Sequence, residues 1–266
     1  MTVAPPWTRY VAIGDSFTEG LWDAPEGLQA PMRGWADLLA ARLSARRVEA
    51  GAPPLEYANL AIRGHVLGQI LDDQLPAALA LKPDLVSIVG GGNDLLRPDG
   101  NPDRLAARLE AAVVQLREAG VDVLLATGFD TASSPVVRLN RSKVALYDTM
   151  IWSIAHRHGA HVLDLWGMAC LHDWRMWAED RIHLTTAGHE RVTQAALVGL
   201  GLAPDLAGWD DPLTPLPPTP VLDRARSNVR WLVVHAGPWA ARRVRGRSSG
   251  DGIAAKRPVP TPVHPS

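Results

Sequence analysis

A serine and a histidine that stand far apart in the chain have the types and surroundings of a catalytic pair. Ser16 ends the segment Gly-Asp-Ser at 14–16, directly after a short apolar run, and His183 lies three residues after Asp180. A serine hydroxyl becomes a nucleophile when an imidazole within hydrogen-bonding reach takes its proton. A carboxylate on the other ring nitrogen holds the imidazole in the useful tautomer. These residues predict nucleophilic catalysis if the fold brings Ser16 and His183 together.

Two further polar segments lie between this serine and this histidine. Residues 59–64 read Asn-Leu-Ala-Ile-Arg-Gly, and residues 91–94 read Gly-Gly-Asn-Asp. Gly64 has no Cβ, so its backbone N–H can approach a substrate closely, and Asn93 carries an amide donor. Donors of this kind stabilise the negative charge that develops during acyl transfer. The alternative for 91–94 is a simple turn, because Gly and Asn are turn residues.

Together the four segments resemble the SGNH hydrolases, also called GDSL-type esterases. They occur in the order of that family and span about residues 10–200. The resemblance implies Ser16 as nucleophile, His183 as base and Asp180 as the residue that orients His183. It also implies an oxyanion hole formed by the Ser16 N–H, the Gly64 N–H and the Asn93 side chain. The implied activity is hydrolysis of a carboxylic ester through an acyl-enzyme intermediate, with no cofactor and no metal.

Two of these positions allow a structural interpretation beside the functional one. Ser16 followed by Glu19 fits a capping box at the start of a helix, which is compatible with catalysis. Arg63 stands where many members of the family carry a small polar residue. It would either bind an anionic or sugar-linked substrate or form an ion pair with Asp15, Glu19 or Asp94. The ion pair is the commoner use of a loop arginine and is favoured.

Aromatic and imidazole side chains are candidates for the surroundings of the site. Trp174 and Trp177 come just before the Asp180 segment and are expected to wall a substrate pocket. His189 falls inside a predicted helix and is interpreted as structural. Outside the segment that holds Asp180 and His183, no His and Asp pair shows the spacing of metal ligands, so no metal site is predicted.

Strand-like apolar runs alternate with helical stretches along the first 200 residues. The expected strands cover 9–13, 56–62, 84–89, 121–127 and 161–165. Such alternation predicts a parallel sheet with helices on both faces, that is, a three-layer α/β/α sandwich. Five strands suit a flavodoxin-like order 2-1-3-4-5, which the family resemblance also implies. In that order the loops after strands one, two and three open at the same edge of the sheet.

Charge and composition divide the chain into a body and a tail. The net charge is −1, but nine Lys/Arg and two Asp/Glu lie from Asp223 onward, which leaves −8 on residues 1–222. We expect a hydrolase domain over 1–207, a proline-rich linker over 208–221, a basic amphipathic helical tail over 222–247 and disorder over 248–266. The tail is expected to dock on its own acidic body, through Trp231, Leu232, Val234 and Trp239, or on a partner. Peripheral membrane contact ranks below these, and no nucleic-acid motif is present.

Two alternative functions stay open at this point. The first is an acyltransferase that uses the same site, and the second is a non-catalytic binding or scaffold protein on the same fold. The substrate is expected to be a small-molecule ester of unassigned identity, chosen by loops such as 21–33 and 131–140. The single cysteine excludes an internal disulfide, and no signal peptide or membrane-spanning run is visible, so a cytoplasmic protein is expected.

Overall fold

The sheet has six strands, one more than the sequence predicts. The computed structural model describes residues 4–23, 32–133, 137–217, 220–237 and 250–264. Its strands are β1 (Arg9–Ile13), β2 (Glu56–Asn59), β3 (Leu85–Ile88), β4 (Asp122–Ala126), β5 (His161–Leu163) and β6 (Arg257–Pro262). Their order is β5-β4-β3-β1-β2-β6, so β1 lies between β2 and β3 as expected. The strands β1 to β5 are parallel, whereas β6 runs antiparallel to β2.

Short and long α-helices connect and flank the strands. Those of the described residues are α1 (Ser16–Glu19), α2 (Trp35–Glu49), α3 (Leu67–Gln69), α4 (Leu75–Ala80), α5 (Gly92–Leu95), α6 (Pro102–Glu118), α7 (Arg141–His158), α8 (Thr186–Gly199) and α9 (Val221–Trp231). A π-helical turn, Ile70–Gln74, joins α3 to α4, and a second one, Leu232–Ala236, continues α9. Within these ranges no helix combines the length and the apolar character needed to cross a membrane.

The two faces of the sheet bury separate apolar cores. On β1, Val11 and Ile13 belong to one core and Tyr10 and Ala12 to the other, and all four are fully buried. This division follows from the alternation of side chains along a strand. Helices α4, α6 and α7 cover the first core, and α2 and α8 cover the second. The predicted three-layer α/β/α sandwich is therefore confirmed.

The π-turn before Pro76 brings a polar side chain into the first core. Proline has no N–H for the regular helical hydrogen bond, and the wider turn over 70–74 directly precedes it. Gln74 is buried at the end of this turn. Its Oε1 accepts from the Gly14 N–H at 2.8 Å, and its Nε2 donates to the Gly14 carbonyl at 3.0 Å. The turn thus fixes the end of β1, two residues before Ser16.

The expectation of disorder over 248–266 is wrong for the strand within that range. β6 pairs with β2 in the register Glu56 to Pro262 and Tyr57 to Thr261, with an irregularity between Tyr57 and Asn59. Three of its six residues are prolines, which composition alone assigns to a disordered segment. Proline is tolerated in an edge strand, where the missing N–H would have faced solvent.

Packing also extends beyond the expected domain end at residue 207. Trp209 and Leu213, in the predicted linker, pack against the core that α2 and α8 cover. Residues 211–217 have no regular secondary structure. The proposed division at 207 stays a prediction, but the core draws on residues that follow it.

Lys256, just before β6, ties this last segment to the body. Its ammonium donates to the Asp37 carboxylate at 2.6 Å and to the carbonyls of Glu19 and Met32 at 2.5 and 2.9 Å. Burial raises the pKa of Asp37, and the charge of Lys256 opposes that rise. The ion pair is partly shielded from water, with side-chain exposures of 14% and 20%. Lys256 therefore offsets the cost of holding the Asp37 carboxylate inside the protein.

Replacing this lysine should destabilise the fold. Methionine has a side chain of similar length to lysine but leaves Asp37 without its cation. We therefore expect Lys256→Met to lower the free energy of unfolding by roughly 2 kcal/mol. The measurement is urea unfolding followed by circular dichroism. The control is Arg108→Met, which removes an exposed ion pair with Asp72 and should change stability by less than about 1 kcal/mol. Equal stability of the two variants would contradict the anchoring role.

Candidate active site

The structure brings Ser16, His183 and Asp180 into one hydrogen-bonded chain. The Nε2 atom of His183 lies 2.9 Å from the Ser16 Oγ, and its Nδ1 lies 2.5 Å from the Asp180 Oδ2. Ser16 follows β1 at the carboxyl edge of the sheet, and the other two residues lie in the loop before α8. The arrangement can move a proton from the serine hydroxyl to the imidazole while the carboxylate stabilises the imidazolium.

A short hairpin-like loop positions the histidine and the aspartate. Trp177 and Leu184 form an antiparallel bridge, and the Ala178 N–H donates to the His183 carbonyl at 2.8 Å. At the tip of the loop, the Asp180 Oδ1 accepts from the backbone N–H groups of Ile182 and His183, both at 3.0 Å. One carboxylate oxygen is thus held by the loop itself, which leaves the other for the imidazole.

Asp180 is arranged to remain ionised. The carboxyl group is 7% exposed, and burial alone would raise its pKa. The hydrogen bond and charge of His183, with the N–H groups of His183 and Ile182, outweigh burial and lower the pKa of Asp180 below its ordinary value. A carboxylate at neutral pH can orient His183, because it accepts a hydrogen bond from the Nδ1–H of the imidazole.

Ser16 is the first residue of α1 and follows a tightly packed turn at the end of β1. The helix cap is Asp15 and not Ser16, because the Asp15 Oδ1 accepts from the Phe17 N–H at 3.1 Å. The proposed capping box from Ser16 to Glu19 is therefore wrong, and the serine hydroxyl is left to His183. Before the cap, Gly14 has no room for a side chain: a Cβ there would lie 2.8 Å from the Val89 carbonyl.

Asn93, at the start of α5, lies between the segments that carry Ser16 and Gly64. Its Nδ2 donates to the Asp15 Oδ2 at 3.2 Å and to the His65 carbonyl at 3.0 Å. These contacts place the amide beside the residues next to Ser16 and next to Gly64. They also engage both N–H groups of the amide with the protein.

Gly64 and Arg63 have different roles in the loop after β2. Gly64 has φ of 76°, a left-handed conformation that glycine adopts without strain. The Arg63 guanidinium forms an ion pair with the buried Glu19, whose carboxylate also accepts from the Arg63 backbone N–H at 2.8 Å. Of the two roles considered for Arg63, the structure shows the ion pair, and its partner is Glu19.

Comparison with known families matches the same part of the chain. The model of the family described as "GDSL-like Lipase/Acylhydrolase family" matches residues 12–191. The chain belongs to this family. Membership confirms the predicted resemblance and the prediction of a hydrolase acting on ester bonds. The comparison with curated proteins gave no match.

Solved structures with the same fold include other enzymes. LAE5, described as an alpha/beta hydrolase enzyme from the metagenome of Lake Arreo, Spain, is 27% identical, with a TM-score of 0.62 over 76% of this chain and 98% of that chain. TesA is 26% identical, with a TM-score of 0.57 over 72% of this chain and 97% of that chain. Axe2, an acetyl xylan esterase from Geobacillus stearothermophilus, is 23% identical, with a TM-score of 0.63 over 78% and 100%. At that identity the last comparison shows the fold.

A row of aromatic rings leads away from Ser16. Phe17, next to Ser16, contacts Phe129 edge to face at 5.1 Å between ring centroids, and Phe129 contacts Trp177 at 5.0 Å. Trp177 lies 6.5 Å from Trp174, which is 41% exposed. Both predicted tryptophans therefore belong to a wall that reaches the residue beside Ser16. Residues 24–31 and 134–136, in the two loops expected to set substrate choice, lie outside the described residues.

His189 lies in the core, and among the described residues the structure shows no hydrogen bond between it and Ser16. The Trp35 backbone N–H donates to its Nδ1 at 3.2 Å, and its ring stacks on Phe17. Burial lowers the pKa of His189 to about 3, so the ring is neutral. Among the described residues, no group of three His, Cys, Asp or Glu side chains could hold a metal ion.

Sequence reasoning missed two residues that support the GDSL-family site. Gln74 was not singled out, although it stands at core spacing with Ile70, Leu71 and Ala78, where a polar residue is unusual. A glutamine among apolar residues at core spacing indicates a buried hydrogen bond. Phe129 carried no signal, because its contact with Phe17 depends on the neighbouring positions of the chain segments that follow β1 and β4.

The buried carboxyl of Asp15 should make stability depend on pH. Burial raises the pKa of Asp15 to about 6, the Phe17 N–H and His183 oppose the rise, and Asp94 adds to it. Because the folded pKa exceeds the unfolded value, the folded state binds the proton more tightly, and this stabilisation is lost as pH rises from about 4 to above about 6.

Asp15→Asn carries no ionisable group at this position and should remove that loss. We expect the stability of wild type relative to Asp15→Asn to fall by up to about 3 kcal/mol across this pH range. Urea unfolding of both proteins at several pH values measures the difference. A difference in free energy of unfolding that does not change with pH would contradict the assignment.

Proposed function

We propose that the protein hydrolyses a small-molecule carboxylic ester through an acyl-enzyme on Ser16. The observation that carries the proposal is the chain of two contacts from the Ser16 Oγ through His183 to Asp180, at 2.9 and 2.5 Å. A hydroxyl, an imidazole and an ionised carboxylate in this order form a nucleophile, a base and an orienting group. Family membership supports the same reaction type.

The reaction has two half-reactions that use the same residues. His183 takes the Ser16 proton as the Oγ attacks the ester carbonyl, and it returns that proton to the leaving alcohol when the tetrahedral intermediate collapses. His183 then takes a proton from the water that attacks the acyl-enzyme, and it donates this proton to the Ser16 Oγ as the second tetrahedral intermediate collapses and the acid is released. Asp180 keeps the Nδ1 proton in place throughout and does not take it.

The oxyanion is proposed to form beside the backbone N–H groups of Ser16 and Gly64 and the Asn93 amide. Asn93 supports this role because it contacts the residues next to both of the others. Its amide must then exchange one protein partner for the oxyanion. The contact with the Asp15 carboxylate, at 3.2 Å, is the longer of the two and the one expected to give way.

The surroundings of Ser16 favour substrates with an apolar or ring-shaped group. The wall of Phe17, Phe129, Trp177 and Trp174 can pack against an acyl chain or a sugar ring. Axe2, of the same fold, is an acetyl xylan esterase, and catalytic mutants of it replace a serine, an aspartate or a histidine three positions after that aspartate. Acetylated carbohydrates and short-chain acyl esters are therefore the first substrates to assay. Arg63, engaged with Glu19, is given no part in binding them.

Removal of the nucleophile tests the reaction directly. We expect Ser16→Ala to lower hydrolysis of a short-chain p-nitrophenyl ester by at least about 10⁴-fold and to abolish labelling by a fluorophosphonate, with folding unchanged. Ser153→Ala, which changes an exposed serine on α7, should keep both activities. A wild-type protein that neither cleaves esters nor reacts with the fluorophosphonate would instead favour the binding or scaffold protein. Product analysis with an added alcohol separates hydrolysis from acyl transfer.

The proposed oxyanion donor has its own test. Asn93→Ala should lower kcat by roughly 10²–10³-fold, because the donor acts on charge that appears only in the transition state, and should leave KM nearly unchanged. Steady-state kinetics measure both constants. The matched control is Gln115→Ala, which removes an exposed side-chain amide on α6. An effect on KM alone would count against the oxyanion role.

A further inference from the structure

The outer side of the catalytic loop contacts the C-terminal helix. The Trp231 Nε1 donates to the Asp180 backbone carbonyl at 2.7 Å. Trp231 is 8% exposed and is the one buried residue among the α9 side chains that the structure describes. Leu232 and Val234, expected to form the docking face, remain about half exposed, and Trp239 lies outside the described residues. Helix α9 therefore contacts the catalytic loop through one indole N–H and not through a broad apolar face.

A second set of contacts holds Arg181, the residue between Asp180 and Ile182. Its Nη1 donates to the Asn228 Oδ1 at 2.7 Å, and its Nη2 donates to the Ser227 Oγ at 2.9 Å. The guanidinium also lies 5.5 Å from the centroid of the Trp231 ring. Helix α9 thus binds the tip of the loop through a backbone carbonyl and through the next side chain.

The backbone at Arg181 explains why the loop tip needs outside support. Arg181 has φ of 57°, in the left-handed region that side chains other than glycine rarely adopt. Such a conformation persists only where the surroundings hold it in place. The turn it forms places the N–H groups of Ile182 and His183 on the Asp180 Oδ1. Relaxation at Arg181 would therefore turn the Asp180 carboxylate away from His183.

We propose that Trp231 and Arg181 are positioning residues that hold the catalytic loop in its working conformation. The proposal rests on the proposed function, because it assigns these residues to the orientation of Asp180 and His183. Neither residue takes part in proton transfer. The Trp231 N–H fixes the Asp180 peptide from outside the loop, and Arg181, held by Asn228 and Ser227, fixes the peptide that follows.

This arrangement makes α9 a part of the catalytic apparatus. Without the contacts of Trp231 and Arg181, the imidazole loses its orienting carboxylate in a fraction of the protein molecules. Only the remaining molecules can activate Ser16. The fraction of competent enzyme falls, whereas Phe17, Phe129 and Trp177 keep the ring contacts that they make with one another. The effect should therefore appear in kcat and not in KM.

The experiment compares Trp231→Phe with the wild-type protein of full length. Phenylalanine keeps an aromatic ring but has no N–H for the Asp180 carbonyl. We expect kcat to fall roughly tenfold, KM to change by less than about twofold and the thermal unfolding midpoint to stay close to that of wild type. Trp152→Phe is the matched control, because Trp152 is an exposed tryptophan on α7. It should leave all three quantities unchanged.

Two substitutions at Arg181 distinguish the effect of its backbone conformation from the effect of its side-chain contacts. Glycine adopts positive φ without strain, so Arg181→Gly should retain more activity than Arg181→Ala, although both lose the contacts with Asn228 and Ser227. The double variant Trp231→Phe with Arg181→Gly should lose less than the product of the two single losses, since both changes act on one turn.

Proton NMR gives a readout that does not depend on turnover. The proton shared between the His183 Nδ1 and Asp180 should give a far-downfield signal in wild type, and this signal should broaden or shift in Trp231→Phe but not in Trp152→Phe. Wild-type kcat with an unchanged signal in Trp231→Phe, or a loss confined to KM, would overturn the proposal. Failure of the proposed function is a different result, in which wild type itself has no esterase activity and no fluorophosphonate labelling.

Discussion

The parallel pairing of β1 with both β2 and β3 is the constraint on which the site depends. Ala12 pairs with Asn59 and Ile13 pairs with Ile88, so the three strands end close to the same level. Parallel neighbours release their chains at one edge of the sheet, and polar residues from separate parts of the sequence meet there. The contact between Asn93 and Asp15 is a direct result of this register.

Buried polar groups then reduce the freedom of the loops that leave this edge. Gln74 binds both backbone groups of Gly14, Glu19 binds Arg63, and the Asp94 carboxylate accepts from the Leu67 N–H. A buried polar group without a partner costs free energy, so each of these loops has one arrangement that satisfies its neighbours. Ser16 and the residues around it are consequently held by contacts outside the chain of hydrogen bonds from Ser16 to Asp180.

The described residues of the last part of the chain contact the body through β6 and through α9. β6 and Lys256 close the edge of the sheet beside β2, and α9 contacts the loop that carries Asp180. The expected attraction between a basic tail and an acidic body does not describe the second contact, because a cation of the body, Arg181, binds neutral side chains of α9. The hydrogen bonds that the structure shows between α9 and this loop involve neutral groups of the helix.

The sequence by itself determined the elements and the chemistry of the protein. Apolar periodicity indicated five strands and their helices, and the segments around Ser16, Gly64, Asn93 and His183 indicated the kind of site. These features can be recognised in the sequence because periodicity and turn formation depend on residues a few positions apart.

Only the tertiary structure decided which distant groups meet. It selected Glu19 as the partner of Arg63, placed Gln74 on Gly14, paired a proline-rich segment with β2 and set Trp231 against the Asp180 carbonyl. Each of these contacts joins residues whose spacing in sequence carries no information about their distance. Their partners follow from close packing of the whole chain, because a buried group bonds to whatever the surrounding elements bring within reach.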